Sequence, residues 1–129
     1  MTRAVLDASA LIALVFQEPG GDRVAAILPE CAITTVNLGE VVSFAARQGF
    51  SALDIHMLLD PLPFERVAFD NELAYSAGLL LPLTRSAGLS FGDRACLALA
   101  TRLGVPAVTA DRAWKTIADV VGVEIELIR

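Results

Sequence analysis

Short apolar runs alternate with longer stretches of helical period along the whole chain. Residues 3–6 (RAVL) predict a first strand, and 9–16 (SALIALVF) a helix ended by the turn Glu18-Pro19-Gly20-Gly21. A short helix follows over 22–28, then a strand over 31–35 (CAITT). Helices are predicted over 38–48, closed by Gly49, and over 51–60, opened by Ser51-x-x-Asp54 and ended by Pro61 and Pro63. Residues 64–68 read as a third strand and 71–87 as one long helix with kinks at Gly78 and Pro82. A helix over 90–103 stops at Gly104. A strand over 105–109, a short helix over 112–118 and a strand over 123–128 complete the chain.

Several of the strands are apolar at nearly every position. That pattern marks a parallel sheet covered on both faces, an α/β architecture. Ligands of such sheets bind beyond the carboxyl ends of the strands, so polar residues just after strands carry the functional signal. Asp7 follows the first strand and interrupts the run MTRAVLDASALIALVFQ. Glu40 lies in the helical turn after the second strand, Asp111 follows the fourth, and Asp93 lies in the first turn of the helix opened by Ser90.

Each acid also has a plain structural reading. Asp7 and Asp111 suit helix N-caps, and Asn37-x-x-Glu40 and Ser90-x-x-Asp93 both fit capping boxes. Caps alone do not explain why three of the acids project at one sheet edge. Two carboxylates about 4 Å apart repel by roughly 4 kcal/mol at a protein-like dielectric, and a divalent cation relieves that cost. A set of hard oxygen ligands selects Mg²⁺ or Mn²⁺ over zinc. An ion held there is suited to phosphate chemistry, where it activates water and neutralises developing charge.

Composition narrows the field further. With 129 residues, 55% of them apolar, the chain is expected to form a single domain over 1–129. No run approaches the roughly 20 apolar residues of a membrane span, and Asp7 spoils the imitation of a signal peptide. Cys31 and Cys96 stand alone in apolar segments, as in a reduced cytoplasmic protein, and His56 has no second histidine to pair with. A net charge of −5 argues against gripping nucleic acid by bulk electrostatics. Nine of the ten basic residues are arginines, suited to bidentate phosphate contacts.

The stretches Val5-Leu-Asp7-Ala-Ser9-Ala, Asn37-Leu-Gly-Glu40-Val, Leu89-Ser-Phe-Gly-Asp93-Arg-Ala-Cys-Leu-Ala-Leu-Ala and Val108-Thr109-Ala-Asp111-Arg-Ala-Trp114 together resemble a PIN domain. More narrowly, they resemble the ribonuclease toxins of VapBC-type bacterial toxin–antitoxin pairs. The resemblance runs from about residue 4 to residue 128 and implies a three-layer α/β/α sandwich around a short parallel sheet. It implies metal-dependent endonucleolytic hydrolysis of RNA and carries the acidic quartet onto Asp7, Glu40, Asp93 and Asp111. Asp7 and Asp93 would be the direct metal ligands, while Glu40 and Asp111 would hold metal-bound waters or a second ion. Ser9 and Thr109 match hydroxyl positions that orient Asp7, and Asn37 matches a polar position at the pocket edge. With the quartet complete, the resemblance implies an active enzyme.

Arg94, Arg112 and Lys115, and more weakly Arg85, are candidates to face substrate phosphates. Trp114 suits a base-stacking platform or a core or dimer anchor, and Tyr75 and Ser76 read as packing residues. The resemblance further implies a homodimer and a cognate antitoxin whose helix lies in an apolar groove. The helix pair at 38–60, with Val41, Val42, Phe44, Ile55, Leu58 and Leu59, is the candidate groove. Two other enzyme families of similar architecture fit poorly. Haloacid-dehalogenase-like enzymes need Asp-x-Asp where this chain has Asp7-Ala-Ser9, and response-regulator receivers need an acidic pair there. The remaining alternative is a non-catalytic α/β interaction module whose acids only cap helices.

Overall fold

The apolar runs become five short strands, Ala4–Leu6 (β1), Cys31–Thr34 (β2), Glu65–Val67 (β3), Ala107–Thr109 (β4) and Ile125–Leu127 (β5), in the computed structural model, which describes residues 1–129. All pair in parallel, in the order β3-β2-β1-β4-β5. Eight helices accompany them: Ala8–Val15 (α1), Gly21–Ile27 (α2), Thr35–Arg47 (α3), Ala52–Leu59 (α4), Asn71–Leu79 (α5), Leu81–Thr84 (α6), Phe91–Leu103 (α7) and Ala118–Val121 (α8). The period-two alternation of the strands builds two cores. Ala4, Leu6, Cys31, Ile33 and Val108 pack with Leu11, Val24, Val41 and Ile55 of α1–α4 on one face. Val5, Ala32, Ala107 and Ile125 pack with Leu73, Ala77, Leu97 and Leu99 of α5 and α7 on the other. The result is the α/β/α sandwich expected from the sequence.

The chain winds outward from β1 through β2 to β3, then returns across to β4 on the other side of β1. The strand order therefore reverses beside β1, and the carboxyl ends of β1 and β4 flank the crevice that such a reversal opens. Asp7 stands at that point, its N–H donating to the Val108 carbonyl at 3.1 Å.

Three sequence expectations change. The long helix over 71–87 is broken, not kinked: α5 ends at Leu79, α6 restarts with Pro82 in its first turn, and a 3₁₀ turn covers Arg85–Ala87. Proline lacks the N–H that would continue α5 and is well placed at a helix start. Asn37 does not cap α3, because Thr34 does so three residues earlier, its hydroxyl accepting from the Asn37 N–H at 3.1 Å. Tyr75 and Ser76 are exposed instead of packed: α5 spends only Leu73 and Ala77, one turn apart, on the core.

Both cysteines are free and buried. Burial pushes the Cys31 thiol up to about 11 and holds Cys96 well above its ordinary value, so both behave as small core hydrophobes. No helix is long and apolar enough to cross a membrane.

Candidate active site

Asp7 caps α1, its Oδ1 accepting from the Ala10 N–H at 2.9 Å. The Ser9 hydroxyl donates to both carboxylate oxygens at 2.7 and 2.9 Å, and the Thr109 hydroxyl to Oδ2 at 2.6 Å. Those hydroxyls are fixed in turn. The Ala110 N–H donates to Ser9 Oγ at 2.9 Å and the Asp111 N–H to Thr109 Oγ1 at 3.0 Å. Hydroxyl-bearing residues at 9 and 109 thus lock the ends of β1 and β4 together around one carboxylate. Asp7 is only 4% exposed, and burial raises its pKa to about 6 against the lowering by these donors.

The other three acids approach from separate elements. Asp93 and Ser90 form a reciprocal capping box at the start of α7. Glu40 projects from α3, Oε1 accepting from Asn37 Nδ2 at 2.9 Å. Asp111 caps the 3₁₀ turn Arg112–Thr116 through the Ala113 N–H. Asp93 is the electrostatic centre: after burial and hydrogen bonding, its charge adds to the upward shifts of Asp7 and Glu40, and Asp111 adds to its own.

All four carboxylates line one cleft of about 650 Å³ at the strand reversal, with Ser9, Ile12, Ser43, Phe44 and Arg47. They ring the cleft without converging: nowhere do three Asp, Glu, His or Cys side chains come together as a ready metal site. The caps explain the spread, since Asp7, Asp93 and Asp111 each hold a backbone N–H of their own helix. None of the four joins an ion pair with an arginine or lysine. An all-oxygen donor set without a direct ion pair fits a hard divalent cation.

The basic candidates are placed differently. Arg94 turns from the cleft, its Nη1 donating to the Ala77 carbonyl at 3.0 Å and its guanidinium 5.2 Å from the Phe91 ring centre. Arg112 and Lys115 are exposed on the turn after Asp111, and Arg85 is exposed beyond α6; none of these lines the cleft. Arg47 does, with its guanidinium 5.7 Å from the Phe44 ring centre. Sequence reasoning overlooked Arg47, although Ser43, Phe44 and Arg47 follow Glu40 by three, four and seven residues, one helix face.

A second, apolar groove of about 360 Å³ runs between α3 and α4, lined by Leu38, Val42, Ala46, Phe50, Ile55 and Leu59 among others. Of the six residues expected there, Val42, Ile55 and Leu59 line it. Val41 and Leu58 instead pack into the core, and Phe44 lines the acidic cleft.

A family model for the PIN domain matches residues 4–120. No curated protein matches the chain by sequence. Solved structures do match in shape. A chain of the DNA-bound VapBC complex of Salmonella typhimurium is 18% identical, with a TM-score of 0.78 and both chains fully covered. A chain of VapBC2 from Rickettsia felis, bound to a promoter DNA fragment, is 16% identical with a TM-score of 0.74 and 98% of each chain covered. A chain of a toxin–antitoxin complex from Klebsiella pneumoniae is 19% identical, with a TM-score of 0.72 and the same coverage. At these identities the likeness is one of fold.

Proposed function

Because this chain belongs to the PIN domain family, we propose that it is a Mg²⁺- or Mn²⁺-dependent endoribonuclease and the toxin of a toxin–antitoxin pair. The observation that carries this reading is the cleft itself, ringed by Asp7, Glu40, Asp93 and Asp111, none of which makes an ion pair with an arginine or lysine. A bound divalent ion supplies activation of the attacking water and neutralises charge on the phosphoryl oxygens. Asp7, oriented by Ser9 and Thr109, and Asp93 are the residues to hold it, with Glu40 and Asp111 on the flanks. Because the hydroxyls hold Asp7 before any ligand arrives, little reorganisation is needed on binding.

Purified chain with Mn²⁺ is expected to cut single-stranded or loop RNA internally, to stop in EDTA and to recover on Mn²⁺ addition. Intact RNA across millimolar Mn²⁺ and Mg²⁺ would sink the proposal. Arg47, on its Phe44 platform, is the substrate contact we favour. Arg47→Glu is expected to lower kcat/KM about tenfold or more, chiefly through KM, and to flatten the salt dependence. An unchanged salt slope would remove Arg47 from the substrate path.

Toxin–antitoxin complexes recur among the solved neighbours. We assign the apolar groove between α3 and α4 to a helix of the cognate antitoxin, and the exposed strip of Tyr75 and Leu79 on α5 to a second copy of the chain. The chain is then a cytoplasmic protein.

The second reading is a non-catalytic interaction module. It draws on the capping roles of three acids and on their failure to converge. Such a module would ignore Mn²⁺ in both melting and cleavage.

A further inference from the structure

Glu40 needs a seat that the other acids do not. Asp7, Asp93 and Asp111 are short side chains pinned as caps, whereas Glu40 extends from α3 past the end of its own first turn. Asn37, 0% exposed, supplies one side of the seat. Its Nδ2 donates to Glu40 Oε1 and to the Gly92 carbonyl of α7, both at 2.9 Å. Its Oδ1 accepts from the Thr34 hydroxyl at 2.7 Å. The amide orientation is set by these partners, because the reverse would face an oxygen towards two acceptor oxygens. Both amide hydrogens and the carbonyl oxygen of Asn37 are engaged, joining α3 to the end of β2 and to α7.

Gly92 supplies the other side. A Cβ at position 92 would overlap the Glu40 carboxylate. The residue lies in the first turn of α7, where nothing in the backbone calls for glycine and alanine would ordinarily be the better helix former.

We propose that Thr34, Asn37 and Gly92 are positioning residues that seat the Glu40 carboxylate against α7, where it serves the cleft as a cation ligand. The ligand role rests on the function proposed above; the seating does not. Thr34 fixes Asn37, Asn37 holds one oxygen of Glu40, and the bare α-carbon of Gly92 leaves room for the rest. The fold tolerates a methyl there, since Glu40 is the far end of a flexible side chain and can swing away.

The experiment is a double-mutant cycle of Gly92→Ala and Glu40→Ala, read by Mn²⁺ affinity in calorimetry and by the NMR signal of the Asn37 side-chain amide in EDTA. Gly92→Ala is expected to weaken Mn²⁺ binding about tenfold or more, with the melting temperature in EDTA held or slightly raised. It is expected to shift the Asn37 amide protons and speed their exchange. In the Glu40→Ala background the same substitution should change neither readout. Equal effects in both backgrounds, or an unmoved Asn37 amide, would overturn the seating. If wild type binds no Mn²⁺ while the Asn37 amide follows the cycle as expected, the seating stands and the cation role falls.

Discussion

In EDTA at pH 7, Asp7→Asn is expected to melt several degrees above wild type, and with Mn²⁺ the order should reverse. Burial raises Asp7 from 3.8 to about 6, so the folded chain holds this proton more tightly than the unfolded chain. Between about pH 4 and pH 6 the folded state therefore carries more protons, and stability falls as pH rises. The penalty is complete above pH 6 and amounts to about 3 kcal/mol for a shift of this size. Asparagine removes the charge and keeps an acceptor for the Ala10 N–H. Its NH₂ then obliges the Ser9 and Thr109 hydroxyls to turn and accept, so we expect a net gain of about 1–2 kcal/mol. Below pH 4, where the charge penalty is gone and only the rearrangement of the hydroxyls remains, Asp7→Asn should melt at or slightly below wild type. A divalent ion at about 100 times its Kd adds roughly 2.7 kcal/mol to wild type and little to the mutant. RNA cleavage by Asp7→Asn should fall at least about 100-fold, beyond the loss typical of a residue that only supports a metal ligand. Melting and activity that fall together would make Asp7 a structural cap. A gap that persists unchanged at pH 4 would exclude burial of charge as its cause.

If stability and activity oppose each other in this way, the capping and catalytic readings of the acids are not rivals. A cap ties a carboxylate to backbone N–H groups at a helix start; Asp7 and Asp111 are placed this way after β1 and β4, and Asp93 by its capping box with Ser90 at the start of α7. What capping leaves unexplained is the company Asp7 keeps. Buried beside Asp93, with its charge met by hydroxyls and one amide instead of a cation, it is an expensive cap, and an asparagine or serine would serve a helix equally well.

The legible parts of the molecule were those governed by local rules. Apolar runs gave away β1, β2 and β4 because strands covered on both faces cannot afford polar positions. The acids after those strands followed from parallel topology, and Ser90-x-x-Asp93 formed the capping box its spacing suggests. The illegible parts depend on contacts distant in sequence. Arg94 looked like a phosphate ligand because it adjoins Asp93, yet neighbours on a helix diverge by 100° and Arg94 finds Ala77 on α5. Thr34 and Asn37 were separable only once the start of α3 was known. Gly92 carried no signal, because the reason for its bare α-carbon is a carboxylate 52 positions earlier in the chain.

Trp114→Ala is expected to cost about 3–5 kcal/mol and to lower the melting temperature by roughly 10–20 °C, the usual result of emptying a large core site. Trp114 is 0% exposed and packs in the core between the sheet and α7, with Leu97, Ala107 and Ile125 in the same cluster. That position excludes the base-stacking role its sequence neighbourhood suggested. Its indole N–H is buried without an acceptor, a penalty that phenylalanine would not carry. Trp114→Phe should therefore recover most of the loss, ending within about 1–2 kcal/mol of wild type, because the lost area and the removed orphan donor offset each other. The consequence reaches the cleft through the turn itself. The Trp114 backbone N–H donates to the Asp111 carbonyl at 3.3 Å, so the residue whose ring is buried also closes the turn that Asp111 caps. Trp114→Ala should accordingly weaken Mn²⁺ stabilisation as well as the fold, and Trp114→Phe should restore both. As the only tryptophan, it also reports on itself: its emission should be blue-shifted and unmoved by RNA added to Asp7→Asn. Emission that RNA quenches, or an alanine variant as stable as wild type, would place the ring at the surface and not in the core.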